Sequence, residues 1–246
     1  DMFMAMELLD GKPLTDLTRG KKSVDSDRVC NIGIQIAKAL SAAHDIGLVH
    51  RDLKPDNVFV LDLSGEEFVK VLDFGISKAF TTGQDDQELT KTGVVIGTPI
   101  YMSPEQCDGT KKVGPASDLY SLGVMLYKLL AGVPPFKHDS TVRVLMDHIS
   151  TPPARFQEKV EGLKVSPALE AVILRLLAKD PSDRYASSQD LVKALEEARK
   201  NPDVVAAPAP SETKVMDAPL ASIPAASASP EDVTVALDTS AAAASE

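Results

Sequence analysis

The sequence lacks tryptophan altogether and has only two cysteines among 246 residues. Two thiols, Cys30 and Cys107, are too few for a disulfide framework or a four-ligand zinc site. The longest apolar stretches fall far short of the ~18 residues that a membrane-spanning helix needs. No basic segment followed by an apolar run marks a signal peptide at the first residues. We therefore expect a cytoplasmic protein without a membrane segment.

Positive charge is also scarce, with 26 Lys and Arg residues against 36 Asp and Glu residues and a net charge of -10. Contacts to nucleic-acid phosphates require clustered lysine and arginine side chains. We therefore expect no nucleic-acid partner.

Hydrophobic residues make up 43% of the chain, which is enough for the core of one sizeable domain.

The composition changes at residue 202. Residues 202–246 contain 13 alanines, 6 prolines, 7 acidic residues, one basic residue and no aromatic residue. Alanine and proline in irregular order bury too little apolar surface to offset the entropy of the chain. We interpret 202–246 as a disordered, acidic, Ala/Pro-rich tail or linker.

Apolar residues recur at helical spacing in most of the remaining chain. The predicted helices cover 29–43, 119–130, 140–149, 166–178 and a segment that begins at Ser187. Two short strands, 57–61 and 68–72, form a plausible hairpin across Ser64 and Gly65. The apolar run 2–6 predicts one more strand, followed by a turn at 11–13.

The chemically informative segment is His-Arg-Asp-Leu-Lys-Pro-Asp-Asn at 50–57, which follows a predicted helix and precedes a strand. Asp-Phe-Gly follows at 73–75. Magnesium prefers carboxylate and amide oxygens and commonly binds phosphates at the same time. A carboxylate that holds no metal can accept a proton from an attacking hydroxyl. One base, two metal ligands and a nearby cation are the groups that phosphoryl transfer requires.

These two motifs resemble the catalytic loop and the metal-binding motif of the protein kinase family. Three further segments match in order and spacing. Thr98 and Glu105 resemble the end of the family's activation segment, with Ser103 where alanine is more common. Asp118 and Arg184 resemble residues that tie the lobe together, the arginine by pairing with Glu105. Five motifs in register make a chance match very improbable.

The resemblance implies a mainly α (α+β) fold: a large helical lobe with short β-hairpins at the catalytic cleft, truncated at the hinge. It also implies a Ser/Thr protein kinase that uses ATP and Mg²⁺. Asp52 corresponds to the catalytic base and Lys54 to the residue that steadies the γ-phosphate. Asn57 and Asp73 correspond to the magnesium ligands. The lysine two residues after Asp52 is typical of the Ser/Thr class. The amino-acid sequence of the segment is most similar to that of bacterial members of the family.

The same resemblance supplies the nucleotide pocket and the regulatory segment. Backbone groups of Glu7 and Leu9 would meet the adenine edge, and Phe59 and Leu72 would line the pocket floor. Arg51, next to the base, indicates control by a phosphate on the activation segment. Thr90 and Thr92 are the candidate phosphate acceptors.

Three regions follow from this correspondence. Residues 1–11 would be the last small-lobe strand and the hinge, 12–201 the large lobe and 202–246 the tail. The catalytic loop is then 50–57 and the activation segment 73–105. The family's Gly-rich loop and strand lysine have no counterpart in these residues, because Gly11 and Gly20 are the only glycines before residue 33. We therefore expect this chain by itself to be weakly active or inactive.

Three alternatives remain open at this stage. The chain could be a non-catalytic, pseudokinase-like binding module, a phosphotransferase for small molecules, or an incomplete gene fragment. Intact Asp52, Lys54, Asn57 and Asp73 count against the first alternative. The expected partners of a kinase are protein substrates and ATP, together with a second kinase copy where autophosphorylation occurs in trans.

The histidines and cysteines receive plainer interpretations. His50 is expected to be packed and hydrogen-bonded. No partner is evident for His44, His138 or His148, which we expect to be surface or packed residues. Cys30 lies on the apolar side of its helix, whereas Cys107 is expected nearer the surface.

Overall fold

The computed structural model describes residues 7–21, 23–74, 99–109 and 112–204. Within these residues it contains seven α-helices, which are α1 (Ser26–Asp45), α2 (Pro104–Asp108), α3 (Pro115–Ala131), α4 (Thr141–Ser150), α5 (Phe156–Lys159), α6 (Pro167–Leu176) and α7 (Ser188–Lys200). The three strands are β1 (Gly11–Pro13), β2 (Val58–Leu63) and β3 (Glu66–Val71). Short 3₁₀ helices cover Leu14–Lys21, Pro55–Asn57, Pro99–Tyr101 and Pro181–Asp183.

Local signals set the ends of the long helices. The Asp25 carboxylate caps α1 by accepting from the backbone N–H groups of Asp27 and Arg28. Ser166 and Ser187 cap α6 and α7 in the same way, as the sequence predicts. Helix α3 ends at Gly132, whose φ of 70° is the left-handed conformation that glycine adopts without a Cβ penalty.

Helix α3 is the centre of the core. All of its residues from Ser117 to Ala131 except Lys128 are buried. A helix that is apolar on every side must be surrounded by other elements. Helices α1 and α6 pack against it, and α7 packs on both of them. The loop that follows α1 is therefore anchored to a helix that is packed on both α3 and α7.

The three strands form one antiparallel sheet in the order β1-β2-β3. The β2–β3 hairpin pairs Val58 with Val71 and Leu63 with Glu66, which confirms the predicted hairpin. A mainly helical fold with a small sheet beside the catalytic loop is likewise confirmed.

The turn expected at Gly11, Lys12 and Pro13 is wrong, because these residues form strand β1 and pair with β2. The approach is close: a Cβ on Gly11 would lie 2.7 Å from the carbonyl oxygen of Val60. A glycine is needed there for steric reasons. Pro13 is tolerated because β1 is an edge strand, where a missing N–H breaks no interior ladder.

A compact unit spans Asp1–Ala209 and is distinguished from Pro210–Glu246. The predicted strand 2–6, most of the activation segment and the tail beyond residue 204 lie outside the described residues. Among the residues that are described, no helix has both the length and the apolar character to cross a membrane.

Candidate active site

The loop after α1 is held from behind by one buried carboxylate. Asp118, on α3, accepts hydrogen bonds from the backbone N–H groups of His50 and Arg51, each at 2.8 Å. Arg51 has a φ of 67°, a conformation that is uncommon for a residue with a Cβ. The two hydrogen bonds to Asp118 offset the cost of this backbone conformation.

Three of the predicted site residues meet on the front of this loop. Lys54 Nζ lies 2.6 Å from Asp52 Oδ2, and both side chains are accessible to solvent. The amide nitrogen of Asn57 donates to the backbone carbonyl of Asp52 at 2.9 Å. This donation orients the amide group of Asn57 and leaves its oxygen as an acceptor.

Asp73 joins them through the strand pairing. The backbone N–H of Leu72 donates to the carbonyl oxygen of Asn57 at 2.8 Å. Asp73 follows with a φ of 58°, so a second non-glycine residue of the site occupies the left-handed region. The buried side chain of His50 contacts the residues on either side of Asp73. Its Nε2 lies 2.8 Å from the carbonyl oxygen of Leu72, and its ring lies 4.9 Å from the ring of Phe74. His50 is therefore a packed residue, as expected.

The donor set suits a hard cation only if the amide of Asn57 takes part. In the part of the chain that is described, no group of three His, Cys, Asp or Glu side chains could hold a metal. Asn57, which is held against Asp52, offers an amide oxygen, and Asp73, which follows the residue paired with Asn57, offers a carboxylate. Magnesium is commonly held by one or two carboxylates while phosphate oxygens and water complete its shell. These residues therefore fit a magnesium ion that arrives with a nucleotide.

The predicted nucleotide-contacting residues lie on and beside the sheet. Phe59 and Leu72 are both half-buried, and Phe59 pairs with Pro13 on one side and Lys70 on the other. The carboxylate of Glu7 binds Lys70 Nζ at 2.6 Å, which places Glu7 near Phe59. Leu9 is half-buried.

A second buried centre joins the residues predicted as structural ties. Arg184 donates to both carboxylate oxygens of Glu105 and to the backbone carbonyls of Ala116 and Ala178. Burial by itself would raise the pKa of Glu105, but hydrogen bonds and charge from Arg184, with a hydrogen bond from Ser117, hold it below its usual value. Glu105 is therefore a buried carboxylate that stays ionised.

Two polar side chains that support the loop were not predicted. His44 Nε2 lies 2.8 Å from Asp118 Oδ2, and its Nδ1 lies 3.1 Å from Ser188 Oγ. His44 is a packed residue, as expected, and its two partners were not evident from the sequence because both lie far away along the chain. Gln106 donates to the backbone carbonyl of Arg51 at 2.6 Å. Gln106 also forms a capping box with Ser103, three residues before it. That spacing indicates the cap but gives no sign of the contact with Arg51.

The other histidines also have partners. His148 is fully buried and its Nδ1 lies 2.9 Å from the hydroxyl of Tyr120. Burial, and then the charge of Lys179, lower the pKa of His148 to about 4. His138 is exposed and binds Asp147 at 2.6 Å. Cys107 is half-buried rather than open, and burial raises the pKa of its thiol to about 12.

Of the predicted regulatory residues, Arg51 is described by the structure. Arg51 lies beside Asp52 on the loop, as the sequence requires. Thr90, Thr92 and Thr98 lie outside the described residues.

Comparison with known proteins agrees with this arrangement. A family model described as protein kinase domain matches residues 1–195. The chain belongs to the protein kinase family. It is 40% identical over 231 residues to serine/threonine-protein kinase pkn3 of Myxococcus xanthus, covering 92% of this chain and 41% of that protein.

Other relatives are also bacterial serine/threonine-protein kinases. Pkn1 of Myxococcus xanthus is 43% identical over 79% of this chain and 27% of its own length. PknB of Mycobacterium leprae is 38% identical over 77% of this chain and 29% of its own length. The chain thus spans less than half the length of these curated relatives.

Solved structures show the same fold. The kinase domain of Mycobacterium tuberculosis PknI aligns with a TM-score of 0.57 and 28% identity over 78% of this chain and 64% of that one. The structure of Rad53 1-466 in complex with AMP-PNP aligns with a TM-score of 0.61 and 25% identity, covering 77% and 45%. A protein-kinase-like fold is therefore shown for the chain.

Proposed function

We propose that this chain carries the catalytic large lobe of a Ser/Thr protein kinase that transfers the γ-phosphate of ATP to a hydroxyl group of a protein substrate. The observation that supports the proposal is the cluster of Asp52, Lys54 and Asn57 on one loop, with Asp73 directly after Leu72, whose backbone N–H donates to the carbonyl oxygen of Asn57. A scaffold protein has no need of all four groups.

Each residue then has one task. Asp52 accepts the proton of the substrate hydroxyl as that oxygen bonds to the γ-phosphorus and ADP leaves. Lys54 places its positive charge beside Asp52, where the terminal phosphate would lie. Asn57 and Asp73 supply oxygens for Mg²⁺, which neutralises phosphate charge when bound.

The proposal extends to the nucleotide pocket and to control. Phe59 and Leu72 form the apolar floor under adenine, and the backbone at Glu7 and Leu9 meets its edge. Arg51 receives a phosphate placed on Thr90 or Thr92 by a second copy of the kinase, and Thr98 faces the protein substrate. Such an enzyme works in the cytoplasm, where ATP and its protein substrates occur.

The decisive experiment compares the natural protein with its Asp52→Asn variant. We expect phosphoryl transfer from radiolabelled ATP to myelin basic protein to fall by about 10²- to 10⁴-fold, the usual contribution of a general base. Binding of MgATP should persist in the variant because no metal ligand changes. Asp139→Asn, at an exposed site, is the matched control. If the unaltered protein binds MgATP but transfers no phosphate, the binding-module alternative replaces this proposal.

A second experiment isolates the metal. Asp73→Asn should weaken ATP affinity at least about tenfold in Mg²⁺ and leave it unchanged in EDTA, because only the metal-dependent part of binding uses this carboxylate. Isothermal titration calorimetry measures both values. An equal loss in EDTA would show that Asp73 acts on the fold and not through the metal.

A further inference from the structure

Lys128 is the one residue of α3 between Ser117 and Ala131 that is not buried. Its Nζ donates to the hydroxyl oxygen of Tyr101 at 3.0 Å and lies 5.6 Å from the centre of the same ring. These two contacts hold the half-buried ammonium group against Tyr101. None of the tasks assigned above to the catalytic loop or the nucleotide pocket uses this cation.

The ammonium group is held next to a segment that the proposed function places at the protein substrate. Tyr101 follows Thr98 by three residues. The short 3₁₀ helix that contains Tyr101 packs against α3 and α4. The backbone carbonyl of Tyr101 accepts from Ser121 Oγ at 2.7 Å, which anchors the segment on α3. Lys128 is therefore fixed relative to the residues that follow Thr98.

The catalytic loop reaches the same place through Asp56, which lies between Lys54 and Asn57 in the sequence. Burial lowers the pKa of Lys128, and the charge of Asp56 opposes this shift. Burial raises the pKa of Tyr101, and the charge of Asp56 adds to that shift. Lys128 thus lies close to both segments that would meet a substrate.

Lys128 has no contacting counter-ion among the residues that the structure describes. The buried phenol of Tyr101 stays neutral because its pKa is raised. Asp56 is exposed and accepts from Thr15 Oγ1 at 3.1 Å. Lys137 adds a second positive charge near the ammonium group. A half-buried cation in this position carries a desolvation cost that an incoming anion would offset.

We propose that Lys128 is a specificity-determining residue that binds a glutamate or aspartate side chain of the protein substrate, close to the phosphorylated hydroxyl. The inference rests on the proposed function and names its substrate class: serine or threonine with an acidic neighbour. An ammonium group has three N–H donors, so Nζ can bind a carboxylate while it keeps the contact with Tyr101. The same charge disfavours arginine or lysine at that substrate position.

The first test measures kcat/KM of the natural protein with a set of peptides. Each peptide consists of alanine and glycine around one threonine, and a single glutamate occupies each neighbouring position in turn. Matched sets carry glutamine or arginine instead. At one position we expect glutamate to exceed glutamine by at least about tenfold, mainly through a lower KM, and arginine to fall below glutamine. Absence of any position that favours glutamate would overturn the proposal.

This outcome is separable from failure of the proposed function. A protein that phosphorylates all the peptides equally well is a kinase without the selectivity inferred here. A protein that phosphorylates none of them contradicts the proposed function, and the binding measurement below then decides the role of Lys128.

Charge reversal locates the selectivity. In Lys128→Glu we expect the preference to invert, so that the arginine peptide exceeds the glutamate peptide. Lys128→Met keeps an apolar stem beside the Tyr101 ring, and its ratio of glutamate to glutamine should fall to about one. Lys164→Glu, at an exposed lysine between α5 and α6, makes the same change of net charge and should retain the natural ratio. A purely structural lysine would lower kcat/KM for every peptide equally, and that result would refute the proposal.

A binding measurement does not depend on phosphoryl transfer. The same peptides, labelled and with alanine in place of threonine, are compared by fluorescence polarisation. The glutamate peptide should bind the natural protein at least about tenfold more tightly than the arginine peptide, and the order should reverse in Lys128→Glu. Equal affinities in both proteins would refute the substrate contact. If Lys128→Glu changes phosphorylation of the activation segment but not the peptide preference, the lysine serves that phosphate and the proposal is wrong.

Discussion

Arg184 donates from Nη1 and Nη2 to the two carboxylate oxygens of Glu105, at 2.8 Å and 2.9 Å, and both side chains are buried. The two residues are 79 positions apart in the chain. Their pairing fastens the segment around helix α2 to the region between α6 and α7. Because water does not reach either group, each charge depends on the other.

Removal of the arginine should be costly for that reason. In Arg184→Met the carboxylate of Glu105 is left buried without its cation, and we expect the free energy of unfolding to fall by about 3–5 kcal/mol. Urea denaturation followed by circular dichroism measures this loss. Arg155→Met is the matched control, because Arg155 is exposed and its ion pair with Glu170 should contribute less than about 1 kcal/mol. Equal effects of the two substitutions would contradict the prediction.

Stability should depend on pH through His148. Its pKa is about 4 in the folded protein, against 6.5 as the ordinary value. Between these values the unfolded chain binds more protons than the folded one, so stability is lost as pH falls from 6.5 toward 4. The charge of Lys179 adds to this effect, while Asp147 and the backbone of Ile100 oppose it. The full difference corresponds to about 3 kcal/mol.

The measurement is the free energy of unfolding at pH 7 and at pH 4.5 for the natural protein and for His148→Gln, which cannot titrate. We expect the variant to lose less stability between the two pH values. His138→Gln, at the exposed histidine that binds Asp147, should change the difference less than His148→Gln does. The prediction fails if His148→Gln retains the full pH dependence. The depressed pKa of Glu105 acts in the same direction but at lower pH, because its contribution is lost only as pH falls below the ordinary value of 4.5.

Close packing at Gly123 predicts an unusual response to alanine. A Cβ at this position of α3 would lie 2.7 Å from the Cβ of Leu176, which belongs to the neighbouring helix α6. Alanine favours a helix over glycine by about 1 kcal/mol, but the clash forces the helices apart at about 1–3 kcal/mol. We therefore expect Gly123→Ala to be destabilising overall in a thermal or urea unfolding experiment.

Gly33 on α1 provides the matched comparison for that experiment. A Cβ there would approach only the ends of the Leu126 and Leu195 side chains, at 3.2 Å and 3.3 Å. These ends can move, and the helix-propensity gain is the same. Gly33→Ala should therefore be less destabilising than Gly123→Ala. The reverse order would contradict the packing argument.

Asp118 should position the loop rather than take part in the chemistry. Asparagine has a single acceptor oxygen, so Asp118→Asn leaves one of the backbone N–H groups of His50 and Arg51 without its partner. We expect a stability loss of about 1–3 kcal/mol and faster proteolytic cleavage within 48–54. Phosphoryl transfer should fall, while ATP affinity in EDTA stays unchanged. Asp45→Asn is the control, because Asp45 is exposed and accepts hydrogen bonds from Gln189.

Some features of this structure can be predicted from residues that are close together in the sequence. The helix caps at Ser166 and Ser187, the end of α3 at Gly132 and the β2–β3 hairpin depend on neighbours a few residues away. The order of Asp52, Lys54, Asn57 and Asp73 indicated the family for the same reason, since four of the groups that phosphoryl transfer requires occur within 22 residues. Local hydrogen bonding and local chemistry are therefore sufficient for these features.

Other features exist only because distant segments meet. The strand β1 was taken for a turn because its partner β2 begins 45 residues after Pro13. His44 had no evident partner because Ser188 lies 144 residues away and Asp118 lies 74 away. Side-chain identity states what a residue can donate, accept or bury, but which groups it reaches is decided by packing around the buried helix α3.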